Sequence, residues 1–118
     1  MSDNDIHFSR SELLQRLGGD EQLLDELLTM AHEDFPAYLD ALDSACSADD
    51  SEQFRRAAHK LKGFARNLAF TRLAELSLQA ENSVDQATAD CRSCIAAIKQ
   101  EIAELLDVLG EYYHTPQK

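Results

Sequence analysis

The sequence predicts an all-α fold: an antiparallel, up-and-down four-helix bundle with a short extra N-terminal helix. Apolar residues recur at three- and four-residue steps along four long segments, the period of a helix that buries one face. Short polar turns separate these segments, which favours antiparallel neighbours, and no segment reads convincingly as a strand. A helix with one apolar stripe cannot bury it alone, so a bundle is the economical arrangement. At 118 residues the chain is long enough for one core and short for two. A single domain over residues 1–118 is therefore expected, with its core between residues 8 and 110.

The first element is a short helix around Ser9 to Leu17, broken by Gly18-Gly19. Asp20 can cap the long helix that follows, whose inner side carries Leu23, Leu24, Leu27, Leu28, Ala31, Phe35, Tyr38, Leu39 and Leu42. Pro36 removes a backbone donor and crowds the preceding turn, so a kink is expected near His32 to Phe35, without a stop because the apolar period resumes. Ser47 to Ser51 forms a turn, and Asp49 or Asp50 caps the next helix, which runs to about Ala69. Thr71 can cap the third long helix, with Leu73, Leu76, Ala80 and Val84 inside. The polar stretch Asn82 to Ala89 leads to the last helix, Cys91 to Leu109. Met1 to Ile6 and Glu111 to Lys118 are expected to fray, although Tyr112 and Tyr113 can cover one end of the bundle.

Composition narrows the function classes. A formal net charge of −11 opposes nucleic acid or an anionic membrane as partner, since both need a dominant cationic surface. No apolar run approaches the ~20 residues that cross a bilayer, and Met1-Ser2-Asp3-Asn4-Asp5 is acidic where a signal peptide is basic. A cytoplasmic location follows as the expectation. Cys46, Cys91 and Cys94 are odd in number, which fits reduced thiols better than a disulfide framework. Cys91-Arg92-Ser93-Cys94 does spell C-x-x-C, but a thioredoxin-type site needs a preceding strand and a structural zinc site needs further ligands. The spacing of Cys91 and Cys94 with Ile98, Ile102, Leu105 and Leu109 reads instead as a buried helix stripe.

The informative segment runs from Phe54 to Leu68, where no carboxylate occurs from Gln53 through Arg72 in an otherwise acidic chain. At about 100° per residue, Phe54, Ala57, Ala58, Leu61, Ala65 and Leu68 share one apolar face. His59 lands opposite, among Arg55, Lys62, Gly63 and Arg66, so its imidazole is expected in solvent on a basic surface. Gly63 in a helix interior costs about 1 kcal/mol relative to alanine. One turn beyond His59, its missing side chain would leave the ring open to another backbone. His7, His32 and His114 have no comparable setting and read as ordinary surface residues.

His59-Lys60-Leu61-Lys62-Gly63, followed by Asn67-Leu68, resembles the H-x-L-K-G phosphoacceptor motif of histidine phosphotransfer (HPt) domains with its later Leu-Gly pair. Leu13 to Leu24 is similar to the start of the family's first long helix, and the resemblance extends over Phe8 to Leu109. Ala69 departs from the family's glycine, and as a small residue it is expected to preserve close helix packing. The resemblance implies that His59 accepts a phosphoryl group from the phospho-aspartate of a response-regulator receiver domain and passes it to another, in a relay fed by a hybrid sensor histidine kinase. It also implies that the receiver brings Mg²⁺, the acidic pocket and most catalytic groups, so this chain needs no cofactor or metal of its own.

The side chains suit that chemistry. An imidazole nitrogen is nucleophilic only when unprotonated, and Arg55, Lys60, Lys62 and Arg66 should disfavour a positive charge on His59. The same cations, Lys62 first, can hold the oxygens of a transferring phosphoryl group. Docking is expected to use the exposed strip around Arg55, Lys60, Gly63 and Arg66, with Phe64 straddling core and interface. No Gly-rich nucleotide loop is present, so ATP is not expected as a direct substrate and the chain is not expected to be an enzyme by itself. Of two rival classes, a di-iron bundle would need two Glu-x-x-His pairs on different helices, and only Glu111-Tyr112-Tyr113-His114 has that spacing. The stronger rival is a helical adaptor that docks its basic face on an acidic protein without gaining phosphate. Four helices that satisfy one another predict a monomer.

Overall fold

The computed structural model describes residues 4–84 and 90–112 of the 118. Among the described residues six helices follow one another: α1 Asn4–His7, α2 Arg10–Arg16, α3 Glu21–Ser47, α4 Ser51–Asn67, α5 Thr71–Ser83 and α6 Cys91–Tyr112. Helix α4 packs against α3 and α5, and α6 closes the bundle by packing on the same two helices from the other side. No strand occurs among the described residues, so the all-α bundle expected from the apolar periods is the fold.

Side-chain oxygens start the helices as the sequence indicates. Ser9 accepts from the Glu12 amide at 3.4 Å, Asp20 from the Leu23 amide at 3.0 Å and Asp50 from the Gln53 amide at 3.0 Å, each satisfying a donor that the first turn leaves orphaned. Thr71 does not cap α5. Phe70 occupies that position, and the Thr71 hydroxyl donates instead to the Ile6 carbonyl at 2.6 Å.

The displacement comes from how α4 ends. It stops at Asn67, earlier than expected, in a Schellman turn: the Phe70 amide reaches the Ala65 carbonyl at 2.9 Å and the Ala69 amide reaches Arg66 at 3.2 Å. Ala69 sits at φ 60°, in the left-handed region. Helices α2 and α3 end the same way, with Gly18 at φ 69° and Asp49 at φ 56° in the equivalent place. Ala69 thus occupies a backbone position that glycine fills without strain, besides being buried in the core as expected for a small residue there. Gly18 and Gly19 also divide the Leu13 to Leu24 segment between α2 and α3. Helix α3 passes through Pro36 without ending.

The N-terminal segment is better held than a frayed end. Asn4 to Ile6 belong to a helical turn, Phe8 is fully buried with its ring edge-on to Phe70 at 5.6 Å, and the Ser9 amide donates to the Ala69 carbonyl at 3.1 Å. His7 is likewise no ordinary surface residue. Its side chain is 15% exposed, with Nδ1 at 2.7 Å from Oε2 of Glu101, which is buried on α6. Arg72 Nε lies 3.5 Å from the other oxygen of Glu101. The tail residues Met1 to Asp3 and Tyr113 to Lys118, the Tyr112 side chain included, lie outside the described residues.

The cysteines depart from the expected set of reduced thiols. Cys46 and Cys91 form a disulfide with Cα atoms 5.9 Å apart, and Cys94 is the free thiol. Each cysteine does lie half-buried beside the core, as the stripe indicates. The pairing arises because the last turn of α3 meets the first residue of α6 at one end of the bundle, a level that periodicity within a single helix does not reveal.

Candidate functional site

Helix α4 buries Phe54, Ala57, Ala58, Leu61 and Ala65, which fixes the opposite face outward. His59 is 64% exposed on that face, as the wheel predicts. It is not surrounded by cations alone. Glu81 of α5 places Oε2 at 2.9 Å from His59 Nδ1 and Oε1 at 2.7 Å from Lys62 Nζ. The hydrogen bond from Lys62, followed by that from His59, holds the Glu81 carboxyl below the usual glutamate range. An ionised carboxylate only accepts, so Nδ1 must carry the proton and donate. In the neutral ring this leaves the lone pair on Nε2, for which no partner occurs among the described residues.

Glu81 is the residue that the sequence reading missed. It lies on another helix, just past the inner position Ala80. One signal was available: α4 and α5 form a hairpin around the corner at Leu68 to Phe70, and His59 and Glu81 stand equally far along the chain on either side of Phe70. Lys62 accordingly departs from the expected open basic surface. It is only 13% exposed, tucked against Glu81. The approach is forced by the close packing of α5 on α4, which brings a carboxylate within reach of a side chain that looks solvated on an isolated helix.

The other expected site residues share this face to different degrees. Arg55 is exposed and bonded to Glu52 at 2.6 and 2.5 Å, which lowers the Glu52 carboxyl through that hydrogen bond. Lys60 and Arg66 are exposed. The Arg66 and Asn67 carbonyls accept from the Arg16 guanidinium at 2.8 and 3.2 Å, so α2 satisfies the C-terminal end of α4. Gly63 has ordinary helical backbone, and a Cβ built there meets nothing within 4 Å. Its lack of a side chain is thus not required by packing within this chain. Phe64 is half-buried, tilted against Tyr38 with ring centroids 4.6 Å apart and edge-on to Phe35 at 5.7 Å, so its ring belongs to the α3–α4 seam while part of it meets solvent.

A groove of about 850 Å³ runs beside the imidazole between α3 and α4. It is lined by the small residues Ala41, Ser44, Ala45, Ala48 and Ala57 and by charged or polar groups that include Glu52, Arg55, His59, Lys60 and Glu81. Elsewhere, His7, Glu101 and Glu104 bring possible metal-ligand atoms within 4.8 Å of one another. There the Arg72 guanidinium and His7 already face the buried Glu101 carboxylate, so that cluster needs no cation to neutralise it. The Glu111-x-x-His114 pair lies outside the described side chains.

The arrangement is an exposed imidazole, oriented by a carboxylate of the neighbouring helix, on one helix of an all-α bundle. The Hpt domain family model matches residues 12–108, and the chain belongs to that family. Neither a curated protein nor a solved structure matches it. The Hpt domain has a phosphotransfer role in two-component signalling, as a phosphocarrier rather than a catalytic domain. Among the described residues, no helix is long and apolar enough to cross a membrane.

Proposed function

We propose that His59 is the phosphoacceptor, taking a phosphoryl group from a receiver-domain phospho-aspartate and returning it to the aspartate of another receiver. The observation that carries this reading is the imidazole held by Glu81 through Nδ1 while its other edge stands in solvent. The Nε2 lone pair attacks phosphorus, the bond from phosphorus to the aspartate oxygen breaks, and the aspartate leaves as a carboxylate. The ring keeps its Nδ1 proton and becomes positively charged as the N–P bond forms. Glu81 stabilises that charge, as a buried carboxylate does for the histidine of a catalytic triad. Reversal discharges the phosphoryl group by the same path.

Lys62, anchored at 2.7 Å to Glu81, shares its ammonium with a phosphoryl oxygen once the partner is in place. Arg55, Lys60 and Arg66 attract the acidic rim of the receiver, Gly63 admits its backbone next to the ring, and the exposed part of Phe64 meets its apolar centre. The receiver contributes Mg²⁺ and the in-line geometry, so the chain works without cofactor or kinase activity of its own. A hybrid sensor histidine kinase supplies the first receiver in this reading, in the cytoplasm, and a monomer suffices because donor and acceptor lie on separate chains.

Incubation of the wild type and His59→Gln with a panel of phosphorylated receiver domains tests this reading. The expected product is an acid-labile gain of one phosphoryl mass on the wild type and none on His59→Gln. If a receiver binds tightly and neither protein gains phosphate, the basic face of α4 is an adaptor surface and the relay reading is wrong.

A further inference from the structure

We propose that the Cys46–Cys91 disulfide is a thiol-exchange site, opened by a small anionic thiol of the glutathione class that attacks the sulfur of Cys46. This site lies outside the phosphotransfer chemistry and does not depend on it.

The bond is not sealed in the core. Cys46 and Cys91 are each half-buried, and cavities of about 150 and 300 Å³ flank Cys46 on two sides. The larger is lined by Asp43, Cys46, Ser47, Arg92, Ile95 and Lys99. Arg92 and Lys99 put two cations on this approach against the single carboxylate of Asp43, which stands 3.3 Å from Lys99 Nζ. The smaller cavity, which also touches Cys91, carries Asp49 and Asp50 and no cation, so an anionic attacker is steered to Cys46 through the larger one.

The helix geometry decides which sulfur is attacked. Exchange is faster when the departing sulfur is the more stable thiolate. Cys91 is the first residue of a 22-residue helix, where orphaned backbone amides and the helix dipole favour a thiolate. The neighbouring Asp90 carboxylate opposes this, but it already accepts from the Arg92 amide and the Ser93 hydroxyl, both at 3.0 Å. Cys46 lies at the C-terminal end of α3, among carbonyls that disfavour negative charge. Cys46 is therefore attacked and Cys91 departs. The incoming thiolate forms a mixed disulfide with Cys46, the bond from Cys46 to Cys91 breaks, and Cys91 leaves as a thiolate. A second thiol releases Cys46 by the same displacement, so two thiols are oxidised to a disulfide as the protein gains two thiols. The free thiol of Cys94, one turn from Cys91, has its Sγ 3.7 Å from the Ser83 hydroxyl.

Opening the bond frees the end of α3 from α6 at the turn that leads into α4. The Cys46 carbonyl accepts from the Asp49 amide in that turn, and Asp50 caps the helix that carries His59.

The test uses the folded chain, oxidised, exposed to reduced glutathione or to mercaptoethanol, whose thiolate carries no further charge, at matched thiolate concentration, with rapid alkylation and peptide mapping. The expected result is a glutathione adduct on Cys46 with alkylated Cys91, formed several-fold faster than the mercaptoethanol adduct. Lys99→Glu should slow the glutathione reaction several-fold more than the mercaptoethanol reaction. An adduct confined to Cys91, a bond that resists both thiols until the chain is denatured, or three thiols that oxidised glutathione cannot pair would each overturn the proposal.

Discussion

His59 and His7 each place Nδ1 against a glutamate, at 2.9 Å from Glu81 and 2.7 Å from Glu101, yet the surroundings give the two pairs different work. His59 is 64% exposed and its partner Glu81 is anchored by Lys62, whose hydrogen bond lowers the carboxyl. His7 is 15% exposed, and burial raises the carboxyl of Glu101 despite the His7 and Arg72 contacts. One arrangement keeps a carboxylate ionised beside a ring that faces solvent. The other encloses both groups between α1 and α6, where they fasten the N-terminal segment. The same contact thus orients a solvent-facing ring in one place and clasps two helices in the other, and burial makes the difference.

Substitutions at the two glutamates should separate these roles. Glu101→Ala removes a buried side chain and the His7 contact, and is expected to cost about 2 kcal/mol in urea unfolding while leaving the phosphotransfer rate close to wild type. Glu81→Gln should do the reverse: transfer slows about tenfold, equal to about 1.4 kcal/mol, with a fall in unfolding midpoint smaller than that of Glu101→Ala. A tenfold slower Glu101→Ala, or a normal Glu81→Gln, would erase the distinction.

Acid should pull the two sites apart as well. Because the Glu81 carboxyl is lowered, its stabilisation is present above the ordinary glutamate value of 4.5 and is lost as pH falls through the depressed one. The Glu101 carboxyl is raised, so the folded state binds its proton more tightly, and stability falls as pH rises from 4.5 through the raised value. Urea midpoints across acidic pH should therefore flatten above 4.5 in Glu101→Gln and below 4.5 in Glu81→Gln.

Gly63→Ala sharpens the same contrast, since a methyl there meets no atom of this chain within 4 Å. Stability is expected to rise by up to about 1 kcal/mol while transfer slows, and a stabilised variant with unchanged transfer would show that no partner backbone approaches Gly63. The smallest change belongs to Ala69→Gly. Relief of about 1 kcal/mol of left-handed strain is opposed by the loss of a buried methyl and by the greater freedom of unfolded glycine, leaving a net shift below about 1 kcal/mol in thermal unfolding.

Much of this arrangement was legible before the fold was seen. The apolar steps on α4 put His59 outward because they depend only on that helix's own period, and Asp20 and Asp50 announce their helices through interactions that span three residues. The features that escaped join separate elements. Glu81 reaches His59 and Lys62 across a hairpin, Glu101 looks like one more exposed acid until α1 folds over it, and Cys46 meets Cys91 only where two helix ends coincide. Thr71 was misread for a related reason: the corner at Ala69 depends on a single positive φ, which alanine does not advertise.

The separations of the paired residues along the chain also order their formation. His59 and Glu81 are 22 residues apart, whereas His7 and Glu101 are 94 apart. Closing the longer loop costs about 1 kcal/mol more chain entropy. The α4–α5 hairpin can moreover close while the chain is being made, before α6 has emerged from the ribosome. The His59–Glu81 pair should then assemble early, and the clasp between α1 and α6 should be among the final contacts to form.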